Sequence, residues 1–325
     1  YGFYINDIEQ RNTGTFRKGP AYVSDEDVFS IYRDTDLSRY EGGAAQREAD
    51  GYPLGFQIEQ NIYSWGFGDY ADMLFIKYLF IHPEEYQDTL YDCWMASVMD
   101  VDIALRTAPR AGAQNDRARY YSEEDTLNLA VQWTNGDRGE AGQGFGYLGF
   151  NFLESPAVDP DGFLRTDKKQ FPVQEQLGLR TMRNWPITVD PLTDEDRYNF
   201  ISSGQRDGDD GPGDRRLLRA TGPFYMRAGD SARIVVGLIR ASTATGNDAT
   251  GTTEDMAELL RKVRFAQFVY NNQFRAPRAP DISVIKGYNN GDAFFQVPSR
   301  GWLPLNNAVV IQWDSTSEVS IDTLE

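Results

Sequence analysis

Asp100 and Asp102 stand two residues apart at the end of an apolar run, Leu90 to Ile103. Alternate residues of a strand share one face, so this spacing predicts two carboxylates pointing the same way. Such a pair suits a hard cation, which gathers oxygen ligands from strand ends and loops. Asn115, Asp116 and Asp125, in the loop that follows, are the candidates to complete the shell. Calcium is therefore the candidate cofactor, against the plainer alternative of two solvated acids at a strand end. A second acid-rich loop runs from Arg206 to Arg216 and holds three arginines. It lacks the spacing and terminal Glu of an EF-hand loop, so a solvated turn with internal ion pairs is expected there.

Aromatic side chains make the competing site. Tyr63, Trp65, Phe67 and Tyr70 surround Gly66 and Gly68. If exposed, rings at this density would stack on sugars and make the chain a carbohydrate-binding module. If buried, they would fill the core or cap its end.

Residues for other chemistry are scarce. His82 is the single histidine and precedes Pro83 at the end of an apolar run, with no local carboxylate to orient it. Zinc sites that need several histidines or cysteines are excluded, because Cys93 is the single cysteine. That count also rules out an internal disulfide. Gly142-Gln-Gly-Phe-Gly146 is too short for a dinucleotide fingerprint and leads into a strand rather than a helix. With 49 acidic residues, carboxylate pairs at a glycosidase spacing arise by chance, and nothing nominates one. No catalytic residue is assigned and the chain is expected not to be an enzyme. A polysaccharide hydrolase is the remote alternative.

A net charge of -17 opposes nucleic acid, whose phosphates demand clustered Lys and Arg. Acidity suits solubility outside a cell, salt tolerance or calcium binding. No run approaches the ~20 apolar residues of a membrane span, so no transmembrane segment is expected. Neither is a signal peptide visible, and Tyr1-Gly-Phe-Tyr4 is not an initiation site, so the natural start is expected to lie upstream.

The elements that must position these residues are mostly strands. Residues 1–50 are polar and turn-rich and predict an extended N-terminal arm. From residue 51 short apolar runs alternate with Gly, Asn, Asp and Pro clusters, predicting a β-sandwich or jelly roll over 51–274. The best strands are Phe56 to Tyr63, Met73 to Ile81, Leu90 to Ile103, Leu127 to Trp133, Phe145 to Leu153 and Ala232 to Ala241. Met73 to Ile81 is apolar on both faces except at Lys77, as in a strand covered on both sides. Helices are predicted near 193–203, with Thr193 as N-cap, and over 253–272. In the second, Met256, Leu259, Leu260, Val263, Ala266, Val269 and Tyr270 form one stripe that should pack on the sandwich. A Pro-rich linker over 275–280 leads to Asp281–Lys286 and Ala308–Asp314. Two strands alone are marginal in water, so 281–325 reads as an incomplete domain with partner strands beyond residue 325 or on another chain.

One stretch carries a resemblance. Gly222-Pro-Phe-Tyr-Met-Arg-Ala-Gly-Asp-Ser-Ala-Arg-Ile-Val-Val-Gly-Leu-Ile239 resembles the "GPF, then GD, then apolar strand" signature of large secreted multidomain bacterial surface proteins, often exported by the type IX secretion system. Lys18–Asp27, Asp34–Ser38, Gly51–Gly55 and Asp100–Asp102 are similar to further landmarks of that group. The resemblance implies a fibronectin type III-like domain after the long helix, a C-terminal sorting domain beyond this chain, and an extracellular or cell-surface location. It implies no activity. The expectation is thus a non-enzymatic structural, adhesive or assembly segment. Its partners would be the remaining domains of the same polypeptide or other surface proteins, with glycan as a further candidate.

Overall fold

The computed structural model describes residues 2–7, 23–35, 45–46, 53–103, 113–134, 144–274, 282–288, 294–297, 301–304 and 308–313. These residues are mainly β. Eleven strands precede the long helix: β1 (Gly2–Asp7), β2 (Glu26–Arg33), β3 (Gln57–Ser64), β4 (Met73–Ile81), β5 (Leu90–Asp100), β6 (Asp116–Tyr120), β7 (Leu129–Thr134), β8 (Tyr147–Glu154), β9 (Thr181–Pro186), β10 (Arg215–Met226) and β11 (Ser231–Ala241). The helices are α1 (Asp194–Ile201) and α2 (Ala257–Asn271).

Two antiparallel sheets form. The larger has the order β1-β2-β3-β4-β11-β8-β7-β6, the smaller β5-β10-β9. Strand alternation divides the larger sheet's side chains between two layers. Ile76 and Phe80 of β4, Phe150 and Phe152 of β8, and Ala232, Ile234 and Val236 of β11 join the core against Met95, Met182, Leu217 and Phe224 of the smaller sheet's strands. Their neighbours Phe75, Val235 and Ile239 are buried on the other face, where α2 packs against β8 and β11. That explains why β4 reads as apolar on both faces.

The stripe of α2 is buried as its spacing predicts, from Met256 through Tyr270. Each fully buried Leu or Val there stabilises docking by about 1.5–3 kcal/mol. Close approach is possible because β8 carries Gly149, where a Cβ would stand 2.8 Å from Leu259 Cδ1. On the outer face of the smaller sheet, Trp185, Leu218 and Ala220 pack with Trp94 and with Phe200 and Ile201 of α1. Thr193 and Asp196 make a reciprocal capping box at the start of α1.

The N-terminal arm is corrected. β1 and β2 belong to the larger sheet, with β2 paired to β3 from Glu26↔Ser64 to Arg33↔Gln57. Without β2, β3 would present an open edge. Ser24 and Asp25 bend the chain into β2, where the Asp27 carboxylate accepts from Ser24 N at 2.9 Å. The compact unit accordingly spans Tyr1–Asn271 instead of starting at residue 51.

Gly222 of the signature sits at φ +153°, where a Cβ would meet Trp94 Cδ2 at 2.6 Å and Cys93 O at 2.8 Å. Only glycine lets β10 pass this close to β5.

A second compact unit spans Asn272–Glu325. In it, β12 (Ile282–Tyr288) pairs with β15 (Ala308–Trp313), and β13 (Phe294–Val297) with β14 (Gly301–Pro304), both antiparallel. The two expected strands thus pair with each other. The linker 275–280 lies outside the described residues.

Candidate functional site

β5 ends at Asp100, which faces Arg216 of β10 in register. The chain then passes through Asp102 to Ile103, whose N–H donates to both carboxylate oxygens of Asp116 at 3.3 Å. Asp116 opens β6, and its carbonyl accepts from Gly213 N at 2.9 Å. This last bond draws in the loop before β10, and with it Asp214. The result is an acid centre: carboxylate oxygens of Asp100, Asp102 and Asp214 lie within 4.8 Å of one another.

Asp116 is fully buried beside this group. Burial pushes its carboxyl up to about 7, and Asp102 and Asp214 add to the rise. The Asp102 carboxyl is raised too, by burial and then by Asp214 and Asp100. Like charges held this close favour either a proton or a bound cation. One acid already has a partner, since Arg216 Nε donates to Asp100 at 3.1 Å.

Of the five residues expected to hold calcium, Asp100 and Asp102 meet, while Asp116 lies beside them with its carboxylate taken by Ile103 N. Asn115 directly precedes Asp116 in the 3-10 turn Ala113–Asn115, and its carbonyl accepts from Thr134 Oγ1 at 3.4 Å. Asp125 is elsewhere: it accepts from Tyr120 Oη at 2.9 Å and pairs with Arg206 at 3.5 Å. Asp214 was missed because it lies in the loop read as a solvated turn. The signal that finds it is the β5–β10 register, which no sequence spacing displays. The rest of that loop pairs mostly outward, Asp209 with Arg117 of β6 at 2.7 Å and Asp207 with Arg183 of β9 at 3.0 Å, while the expected internal pairing is met by Arg215–Asp210 at 4.0 Å.

The aromatic cluster is corrected as a sugar platform. Tyr63, Trp65 and Tyr70 are 8%, 6% and 5% exposed, leaving Phe67 as the exposed ring at 38%. Trp65 packs edge-on against Phe75 at 5.6 Å, and Tyr70 edge-on against Phe265 of α2 at 5.1 Å. Their large apolar area is worth more under the helix than in water. The adjoining acids clamp the same helix: Asp69 accepts both Nη atoms of Arg261, and Asp72 accepts Lys262 Nζ at 2.6 Å.

His82 is 1% exposed, with Nε2 2.9 Å from the Asp88 carbonyl. Cys93 is half-buried against the core, and burial, with Asp92, pushes its thiol up to about 11. Such a thiol is a poor nucleophile at neutral pH.

Among the described residues, no helix is long and apolar enough to cross a membrane. Comparison with known protein families finds no match, and comparison with curated proteins finds none either.

Proposed function

We propose that the chain is a non-enzymatic structural or adhesive module of a secreted surface protein, working outside the cell beside further domains of its own polypeptide or other surface proteins. The observation that carries this reading is the succession of two separately compact units, Tyr1–Asn271 and Asn272–Glu325, as in a modular polypeptide. Two features support it. The aromatic cluster and His82 are engaged in packing and internal hydrogen bonds. The Gly222–Ile239 stretch keeps its resemblance to secreted surface proteins, and Gly222 has a steric reason to be glycine. The test is to incubate the purified chain with a panel of polysaccharides and peptides. Unchanged substrates agree with the reading; turnover at an enzymatic rate overturns it.

A second reading concerns the acid centre. Asp100, Asp102 and Asp214, gathered beside buried Asp116, favour a calcium ion that ties the end of β5 to the start of β10. Calcium would then stiffen the module, which is compatible with the structural role. Thermal unfolding with and without calcium decides it.

A further inference from the structure

The outer face of the larger sheet carries a polar site apart from the acid centre. Between β8 and β11 the register slips, with Val236 opposite Phe152 but Val235 opposite Glu154. Leu153 is the extra residue of a β-bulge. Regular pairing would set Glu154 opposite Ile234, on the core face. The bulge turns it instead to the face of Val235, which also pairs with Lys77 of β4. Bulges often re-aim a side chain at a functional position. Here a carboxylate and two cations, Lys77 and Arg233, share one face of three neighbouring strands.

Glu154 is 4% exposed, and its Oε2 has no hydrogen-bond partner. Its other oxygen lies 3.6 Å from Arg233 Nη1, which itself donates to the Lys169 carbonyl at 2.7 Å. Arg233 Nε is likewise buried and unpartnered. Glu154 and Arg233 both line a cavity of about 340 Å³, together with Ser155, Thr166, Lys168 and Lys169. That volume lies in the range of small-molecule sites, ~300–1,000 Å³. Leaving a buried acceptor and a buried donor unmade costs about 1–3 kcal/mol each, a cost a ligand bridging both would remove.

Charge and lining select the ligand. Arg165 is taken up by Asp167 and Glu175, and Lys168 by Glu175. Arg233, Lys169 and nearby Lys77 remain against Glu154, an excess of positive charge in a chain of net charge -17. An anion is favoured, and the hydroxyl and charged lining favours a hydroxylated anion over an aliphatic one. We propose that this cavity binds a small hydroxylated carboxylate, the chemistry of a sugar acid, with Arg233 and Lys169 holding its carboxylate and Glu154 an adjacent hydroxyl.

The groups facing Glu154 are Arg233 and Lys77, with Glu59 beyond Lys77. Burial outweighs the two cations and pushes the Glu154 carboxyl up to about 7. Sugar acids stay ionised across this range, so affinity should fall as pH rises and Glu154 becomes an anion beside the bound carboxylate.

The site stands independently of the proposed function, because purified protein tests it wherever the chain resides. Isothermal titration of the intact chain, without calcium, would use D-galacturonate, D-glucuronate, D-galactose and hexanoate. At least one sugar acid should bind, with galactose and hexanoate weaker by about tenfold or more, the value of one charged hydrogen-bond set. Lys169→Ala, at an exposed position, should weaken binding, and Arg233→Met more so. Affinity should be higher at about pH 5.5 than at about pH 8, and Glu154→Gln should remove that difference. Tighter binding of trigalacturonate than of the monomer would assign the acid to a polysaccharide; equal or weaker binding would assign it to a free acid. No heat from either sugar acid, equal binding of galactose or hexanoate, or wild-type behaviour of the Lys169 and Glu154 variants would overturn the proposal.

Discussion

Arg219 reaches Ser97 across the β10–β5 pair, Nη2 to Oγ at 3.0 Å, from a position with no solvent exposure. Its guanidinium lies 5.1 Å from the Phe150 ring and 5.5 Å from Phe152, while Nε and Nη1 have no hydrogen-bond partner. Burial lowers its pKa to about 9. A charge this poorly compensated costs stability that the two rings only partly offset. Arg219→Met should therefore be neutral or stabilising by about 1–3 kcal/mol, whereas Arg219→Ala should cost about 2–5 kcal/mol through the cavity it leaves. Urea unfolding of both variants measures this. A Met variant destabilised as much as the Ala variant would refute the assignment of Arg219 as a net cost.

Glu154 gives a pH dependence with a definite sign. Its folded carboxyl is raised from the ordinary 4.5 to about 7, so between those values the folded state holds more protons than the unfolded state. Stability should then fall as pH rises from about 4.5 to about 7. Glu154→Gln should flatten this part of the profile, read by chemical denaturation across the range. A wild-type profile that rises there, unchanged in the variant, would contradict the buried placement.

Calcium should raise the melting temperature if it occupies the acid centre, since a ligand at about a hundred times its Kd adds ~2.7 kcal/mol. Asp102→Asn and Asp214→Asn should abolish the rise, and Asp125→Asn should leave it intact. No rise in the wild type, with no fall on chelation, would reduce the centre to solvated acids, one of them, Asp100, paired with Arg216.

The capping box predicts that Thr193→Ala weakens α1 by about 0.5–2 kcal/mol. Because α1 covers Trp185 and Leu218, loss of the cap should raise hydrogen exchange there before the rest of the sandwich.

Much of the sandwich was legible in sequence because burial on two faces leaves continuous apolar runs. Met73–Ile81 is β4 to the residue, and the stripe of α2 is buried as spaced. β2 hid because its short run Val28-Phe-Ser-Ile-Tyr32 stands among polar, turn-rich residues, and pairing with β3 is what makes it part of the sheet. Asp100 and Asp102 were visible as neighbours in sequence, but Asp214 joins them only through strand register. Glu154 was hidden more deeply, since the bulge at Leu153 inverts the alternation by which a strand's faces are counted. Tyr63, Trp65 and Tyr70 showed the opposite limit. Composition locates aromatic rings, but it is the packing of Trp65 on Phe75 and of Tyr70 on Phe265 that buries them.

The central claim is that this chain works outside the cell as a structural or adhesive module. Antibodies raised against the Tyr1–Asn271 unit should label intact, unpermeabilised cells of the producing organism, and brief protease treatment of those cells should remove the label. Labelling that appears only after permeabilisation would contradict the claim.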